Sequence, residues 1–272
     1  MSLKLMYITN RPEIASIADN NGVDRIFVDL ETIGKRERQG GMDTVQSRHS
    51  LEDIKKVRNV IEHSELLVRS NPIHENSKNE INKIIENGAD VIMLPYFKER
   101  DEVERFIDMV GGRARTMLLF ETPESVDNID SILNISGIDE AHIGLNDMHL
   151  GYRLKFMFEI LINGTAEYLI GKFKEKNIPF GFGGIACLGK GAIPAEYIIS
   201  EHYRLGSSFA ILGRSFCDAS KVTNIDEISD IFAAEMRKIR EYEKQAAEFS
   251  KEKYAQNRAY IVKKVGEIVS EK

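Results

Sequence analysis

Cysteine is scarce in this chain: Cys187 and Cys217 are the only two among 272 residues, and they form no C-x-x-C pair. Neither a disulfide framework nor a structural zinc site is therefore expected. Surplus positive charge is missing as well. Lysine and arginine number 37 against 43 aspartate and glutamate, for a formal net charge of −6, which argues against a general nucleic-acid binder. No apolar run approaches the roughly 18 residues of a membrane span, and Met1–Thr9 lacks a signal-peptide pattern. The expectation is a cytoplasmic protein with no membrane partner. What the chain does have is 42% hydrophobic residues, enough for one large core of the size of a single barrel of roughly 250 residues.

Eight short apolar runs punctuate the sequence: Leu3–Thr9, Arg25–Glu31, Leu66–Arg69, Asp90–Pro95, Met117–Phe120, Ala141–Leu145, Pro179–Ile185 and Ser208–Gly213. Helical segments alternate with them. Pro12 opens one that Gly22 closes, and Ser50 with Asp53 three residues on reads as the start of another, to about His63. Further helices are expected over Glu75–Asn87, Asp101–Val110 and Pro194–Leu205, with an amphipathic stretch over Tyr152–Asn177 that Gly164 interrupts. This alternation predicts a TIM (β/α)8 barrel over residues 1–222. Residues 223–272 form a C-terminal helical extension, longer than a barrel needs, that wraps the outside or packs on a neighbouring subunit. The Thr32–Ser50 stretch has no period and is long for a connection. It carries Lys35, Arg36, Arg38, Arg48 and His49, with Gly40 and Gly41 as a hinge.

In such a barrel the binding groups gather at the C-terminal ends of the strands. Two apolar runs end on acids: Glu121 follows Phe120, and Asn146 and Asp147 follow Leu145. If these strands are neighbours, both carboxylates reach one rim and, with water and a substrate, suit Mg²⁺ or Mn²⁺. The plainer alternative is that each acid caps the helix behind it. Arg69 ends the third run, where a guanidinium can grip a carboxylate or an enolate oxygen, or pair with Asp29 or Glu31 on the neighbouring strand. His49 is a candidate acid or base, or a solvated loop residue. His142 lies inside a run and reads as a packed histidine, and His149 as a ligand or rim contact. Gly183, Gly184 and Gly213, with Arg214 and Ser215, match the phosphate-cradling corner of barrels.

The segments F-V-D-L-E (27–31), L-L-V-R-S-N (66–71), G-A-D-V-I-M-L-P (88–95), F-E-T-P-E-S-V-D-N-I-D-S-I-L (120–133) and G-I-D-E-A-H-I-G-L-N-D-M (137–148) resemble the HpcH/HpaI aldolase and citrate lyase β-subunit family of the phosphoenolpyruvate/pyruvate superfamily. The resemblance implies a divalent metal held by Glu121 and Asp147, and a pyruvate-gripping arginine at Arg69. It places Pro95, Leu145, Asn146 and Asp147 at the substrate. It also implies a carbon–carbon lyase of the class II pyruvate aldolase kind, acting on a small oxo-acid or acyl substrate and assembling as a homo-oligomer through its last helices. The chain departs from that pattern in two places. Thr32 stands where the aldolase branch has its histidine base, and Leu119 where that branch has a glutamine. His49 is the candidate base, with Asp29 or Glu31 as alternatives. The basic loop suggests a phosphorylated or multiply carboxylated substrate. Two rival readings remain: a metal-independent, phosphate-binding isomerase or synthase, and a non-catalytic barrel that binds an oxo-acid.

Overall fold

Eight strands close on one another in sequence order: β1 (Lys4–Ile8), β2 (Arg25–Asp29), β3 (Glu65–Arg69), β4 (Val91–Leu94), β5 (Arg115–Phe120), β6 (Glu140–Ile143), β7 (Phe180–Ile185) and β8 (Phe209–Leu212). All pairings are parallel, and β8 returns to β1. The computed structural model describes residues 2–35, 49–213, 216, 217, 222 and 224–271. The expected barrel is therefore the observed fold. Around it run α1 (Pro12–Asn20), α2 (Leu51–Arg58), α3 (Ser77–Glu86), α4 (Arg100–Val110), α5 (Pro123–Asp127), α6 (Ile129–Ile132), α7 (Leu145–Gly151), α8 (Glu159–Ile162), α9 (Thr165–Glu175) and α10 (Ala195–Leu205).

Local signals set most of these boundaries. Pro12 takes the first position of α1, where its missing N–H costs nothing. Asp53 accepts the Ser50 N–H at 2.8 Å and starts α2. That helix stops at Arg58, short of the expected His63. The reason lies in α1, where the buried Asp19 carboxylate accepts the N–H groups of Glu62, His63 and Ser64 at 2.8, 3.1 and 2.6 Å and draws the chain towards β3. The amphipathic stretch beyond Tyr152 divides into α8 and α9 at Gly164, whose φ of 94° a side chain would resist.

Side chains alternate along each strand, so the barrel interior is layered. Inward positions in the middle layer are apolar: Met6, Phe27, Leu67, Val91, Met93, Met117, Leu119 and Phe209 form one buried cluster. Their neighbours Ile26, Val28, Leu66, Val68, Ile92 and Leu118 face outward and join the larger cluster beneath the helices. Below the middle layer, at the first residues of β2, β3, β5 and β6, lies a floor of charge. Arg25 is 0% exposed. Its guanidinium donates to both Glu140 oxygens at 2.6 and 2.7 Å and to Glu65 at 2.7 Å, while Arg115 bridges Glu65 and Glu140 at 2.5 and 3.3 Å. Alternation makes these charges point inward, and burial obliges them to pair.

The C-terminal extension consists of α11 (Ile225–Ala247) and α12 (Lys251–Glu271), and both helices pack on this chain's own barrel. Arg240 donates to the Leu3 carbonyl at 2.7 Å and to Asp24 at 2.6 Å. Asn257 donates to Ser200 of α10 at 2.8 Å, and Tyr260 stacks on Tyr197 with centroids 3.8 Å apart.

The floor predicts an acid sensitivity. Burial by itself would raise the Glu65 carboxyl, but hydrogen bonds and charge from Arg25 and Arg115 outweigh it and bring it from 4.5 to about 2. A carboxyl lowered in the folded state stabilises fully above its unfolded value and loses that contribution as pH falls towards the folded one. Stability should therefore decline between about pH 4.5 and 2. Arg25→Met should move the acid-unfolding midpoint, followed by far-ultraviolet circular dichroism, to higher pH; an unmoved midpoint would refute the assignment.

Candidate active site

The mouth of the barrel, one inward step above the apolar layer, carries a second set of charges. Asp29 and Arg69 are register partners across β2 and β3, and the Arg69 guanidinium sits 5.6 Å above the Phe27 ring. Its Nε and Nη2 donate to Oδ1 and Oδ2 of Asp29, both at 2.8 Å. Nη2 also lies 3.3 Å from Glu31. Lys35 joins them, its Nζ 2.7 Å from Asp29 Oδ2 and 3.6 Å from Glu31 Oε2. Burial would raise the Asp29 carboxyl, but Arg69 and Lys35 more than offset that and hold it well below the usual carboxylate range. Asp29 thus clamps Arg69 side-on, and among the described residues no protein acceptor occupies Nη1. The expected pairing of Arg69 with Asp29 and Glu31 is present, and it leaves one edge of the guanidinium for an anion.

Thr32 has a structural task. Its N–H and hydroxyl donate to Asn71 Oδ1 at 2.9 and 3.3 Å, and the Ile33 N–H adds a third bond at 3.0 Å. Asn71 is held in turn by Glu80 of α3. His49 is brought to the site from the far end of the loop, but its Nδ1 accepts the Asp29 N–H at 2.9 Å. That nitrogen must carry a lone pair, so the neutral ring bears its proton on Nε2. Burial lowers the His49 pKa, against the opposing pull of Asp29 and Asp53. Nε2 is therefore the nitrogen left to face a ligand, as a donor in the neutral ring. Arg36, Arg38 and Arg48 lie outside the described residues.

On the opposite side of the mouth stand the two expected acids. Glu121 follows β5 directly. Asp147 does not end a strand as expected: β6 stops at Ile143, and Leu145, Asn146 and Asp147 form the first turn of α7. The Gly144 N–H reaches the Phe120 carbonyl at 2.9 Å, and the chain then turns directly into the helix. Glu121 and Asp147 are 3% and 8% exposed. They line one pocket of about 230 Å³ with Tyr96, Thr122, Pro123, Leu150 and Gly151. Glu121 Oε1 accepts the Tyr96 N–H at 3.0 Å, and Tyr96 adopts a φ of 51° to supply it, a strained conformation of the kind that gathers at functional sites. Burial would lower the Arg69 guanidinium, but Asp29 and Glu31, and to a smaller extent Glu121, raise it. Among the described residues no group of three or more His, Cys, Asp or Glu side chains is arranged to hold a metal ion by itself. Two hard carboxylate oxygens, with further positions left to water and substrate, suit Mg²⁺ or Mn²⁺.

Pro95 is buried beside Tyr96, and Leu145 packs on Gly183, where a Cβ would lie 2.6 Å from Leu145 Cδ1. His149 Nδ1 bonds to the Asn146 carbonyl within α7. His142 is buried inside the barrel, and burial brings its pKa down to about 4. Two of the corner's glycines have packing reasons: Gly183 yields to Leu145, and a Cβ at Gly184 would lie 3.1 Å from the Ile211 carbonyl oxygen. Arg214 and Ser215 lie outside the described residues. The sequence reading missed Tyr96, Gly144 and the place of Lys35, since each acts through contacts made by folding.

Gly144 gives a direct test. A Cβ there would lie 2.7 Å from Glu121 Oε2 and 2.8 Å from Glu121 Cβ. Gly144→Ala should displace Glu121 and weaken Mn²⁺ binding by roughly 10- to 100-fold with the fold retained, measured by calorimetry beside a circular dichroism melt. Unchanged affinity would remove Glu121 from the site.

A family model for HpcH/HpaI aldolase/citrate lyase matches residues 4–156, more than half of the chain. No curated protein matches it. Among solved structures, the barrel is similar to an HpcH/HpaI aldolase from Desulfitobacterium hafniense DCB-2, at 14% identity and a TM-score of 0.63 over 84% of this chain and 93% of that one. A HpcH/HpaI aldolase/citrate lyase family protein from Burkholderia cenocepacia J2315 matches at 12% and 0.64, over 83% and 94%. The citrate synthase SbnG matches at 15% and 0.61, over 88% and 94%. At these identities the structures speak for the fold, and the family rests on the sequence match. The chain belongs to the HpcH/HpaI aldolase/citrate lyase family, as a lyase-type barrel enzyme.

Proposed function

We propose that this enzyme is a metal-dependent carbon–carbon lyase that breaks or forms the bond next to a pyruvate-type enolate in a small oxo-acid or acyl substrate. The observation that carries the proposal is that the two buried carboxylates of Glu121 and Asp147 line one pocket at the barrel mouth where Asp29 clamps Arg69. Glu121 and Asp147 would hold the divalent cation, which supplies fixed positive charge where the enolate oxygen develops its own.

The protein's own groups do the rest. Arg69, fixed side-on by Asp29, offers Nη1 to the substrate carboxylate or enolate oxygen, and a preset donor costs no reorganisation as charge develops. The Tyr96 N–H holds Glu121 in place. His49 enters as a hydrogen-bond donor through Nε2, because its other nitrogen accepts from Asp29. That leaves Asp29 and Glu31 to accept a substrate proton, and Asp29 is a weak base because Arg69 and Lys35 keep its carboxyl well below the usual range. Asn146, Leu145 and Pro95 keep their proposed places around the substrate, one residue or so from the pocket wall.

Exchange of pyruvate methyl protons in D₂O, followed by proton NMR, tests the reading. Exchange should require Mg²⁺ or Mn²⁺ and stop with a chelator. Glu121→Gln, Asp147→Asn and Arg69→Lys should each slow it by roughly 100-fold. No exchange with any divalent metal would overturn the proposal. Assembly into a homo-oligomer through α12, where Val262 lies exposed, belongs to the same proposal; sedimentation velocity should then show a species heavier than the 30.9 kDa monomer.

A further inference from the structure

We infer that Lys35 is a positioning residue for Arg69: it completes a cluster of two carboxylates and two cations, and so keeps one edge of the arginine open to an anionic substrate. The inference rests on the proposed role of Arg69.

Lys35 lies in the loop after β2 and is 6% exposed. An ammonium group loses much hydration at such a site and needs close partners. Its Nζ finds them in Asp29 Oδ2 at 2.7 Å and Glu31 Oε2 at 3.6 Å. Arg69 contacts the same two acids, at 2.8 and 3.3 Å. Asp29 Oδ1 receives Arg69 Nε and the Glu31 N–H, while Oδ2 receives Arg69 Nη2 and Lys35 Nζ. Each Asp29 oxygen therefore accepts two donors. His49 lies on the same acid through the Asp29 N–H.

Consider the cluster without Lys35. Two buried carboxylates would confront one guanidinium, and either Arg69 would swing further towards Glu31 or one acid would take up a proton. Both responses weaken the side-on clamp. The mouth would also carry one more negative charge, with Glu121 and Asp147 close by, against an incoming oxo-acid anion. A lysine that merely tethered the loop would alter stability but leave the Arg69 clamp and anion binding unchanged.

The test uses the full-length chain and two independent readouts at neutral pH: the side-chain ¹⁵N NMR signals of Arg69, and calorimetry with oxalate in the presence of MgCl₂. Lys35→Met should shift the Arg69 Nε and Nη signals and weaken oxalate roughly tenfold. Lys35→Arg should restore both. The double variant Lys35→Met/Glu31→Gln, which removes one charge of each sign, should recover most of the affinity that Lys35→Met loses; it also provides a foldable comparison if the single variant does not fold. Unmoved Arg69 side-chain signals, or a double variant that binds oxalate no better than Lys35→Met or, if that does not fold, no better than Glu31→Gln alone, would overturn the inference. If the Arg69 signals shift but wild type does not bind oxalate, the proposed function fails while the hold of Lys35 on the Asp29–Arg69 clamp stands.

Discussion

Charge placed inside a closed barrel must be paired, and that requirement organises this protein. Inward strand positions stack as floor, apolar layer and mouth. At the floor, Arg25 lies between Glu140 and Glu65 with no solvent contact. At the mouth, Arg69 and Lys35 answer Asp29 and Glu31. The layer of Phe27, Leu67, Met93 and Met117 separates the two and lowers the local dielectric around both, which strengthens correctly paired charges and penalises any left alone. The floor is fully used by its own partners. At the mouth, Nε and Nη2 of Arg69 are taken up by the acids while Nη1 has no protein acceptor among the described residues.

The site is built mainly by backbone. Glu121 is fixed by a main-chain N–H, which Tyr96 can supply only from a left-handed conformation. Gly144 allows the carboxylate its place because it has no Cβ. Asp147 arrives on the first turn of α7 rather than at a strand end, where the N-terminal end of the helix favours a negative side chain. Thr32 fits the same scheme. It secures the loop to Asn71 and, through Asn71, to Glu80.

The sequence alone determined the barrel. Eight apolar runs separated by capped helices admit few other closed arrangements, and their order already put Asp29, Arg69 and Glu121 at the strand ends of one rim. Family membership was legible in the same segments, because residues bound to a shared core and a shared mouth keep their spacing. The tertiary structure decided what spacing cannot express. It turned Lys35 from a member of a basic loop into a buried partner of Asp29, and it turned His49 from a candidate base into an acceptor of the Asp29 N–H. It also stopped β6 early enough to put Asp147 on a helix. Each of these depends on which groups meet across strands and loops far apart in the chain. A charge's protonation, direction and partner follow from that meeting, not from the residue's own position in the sequence.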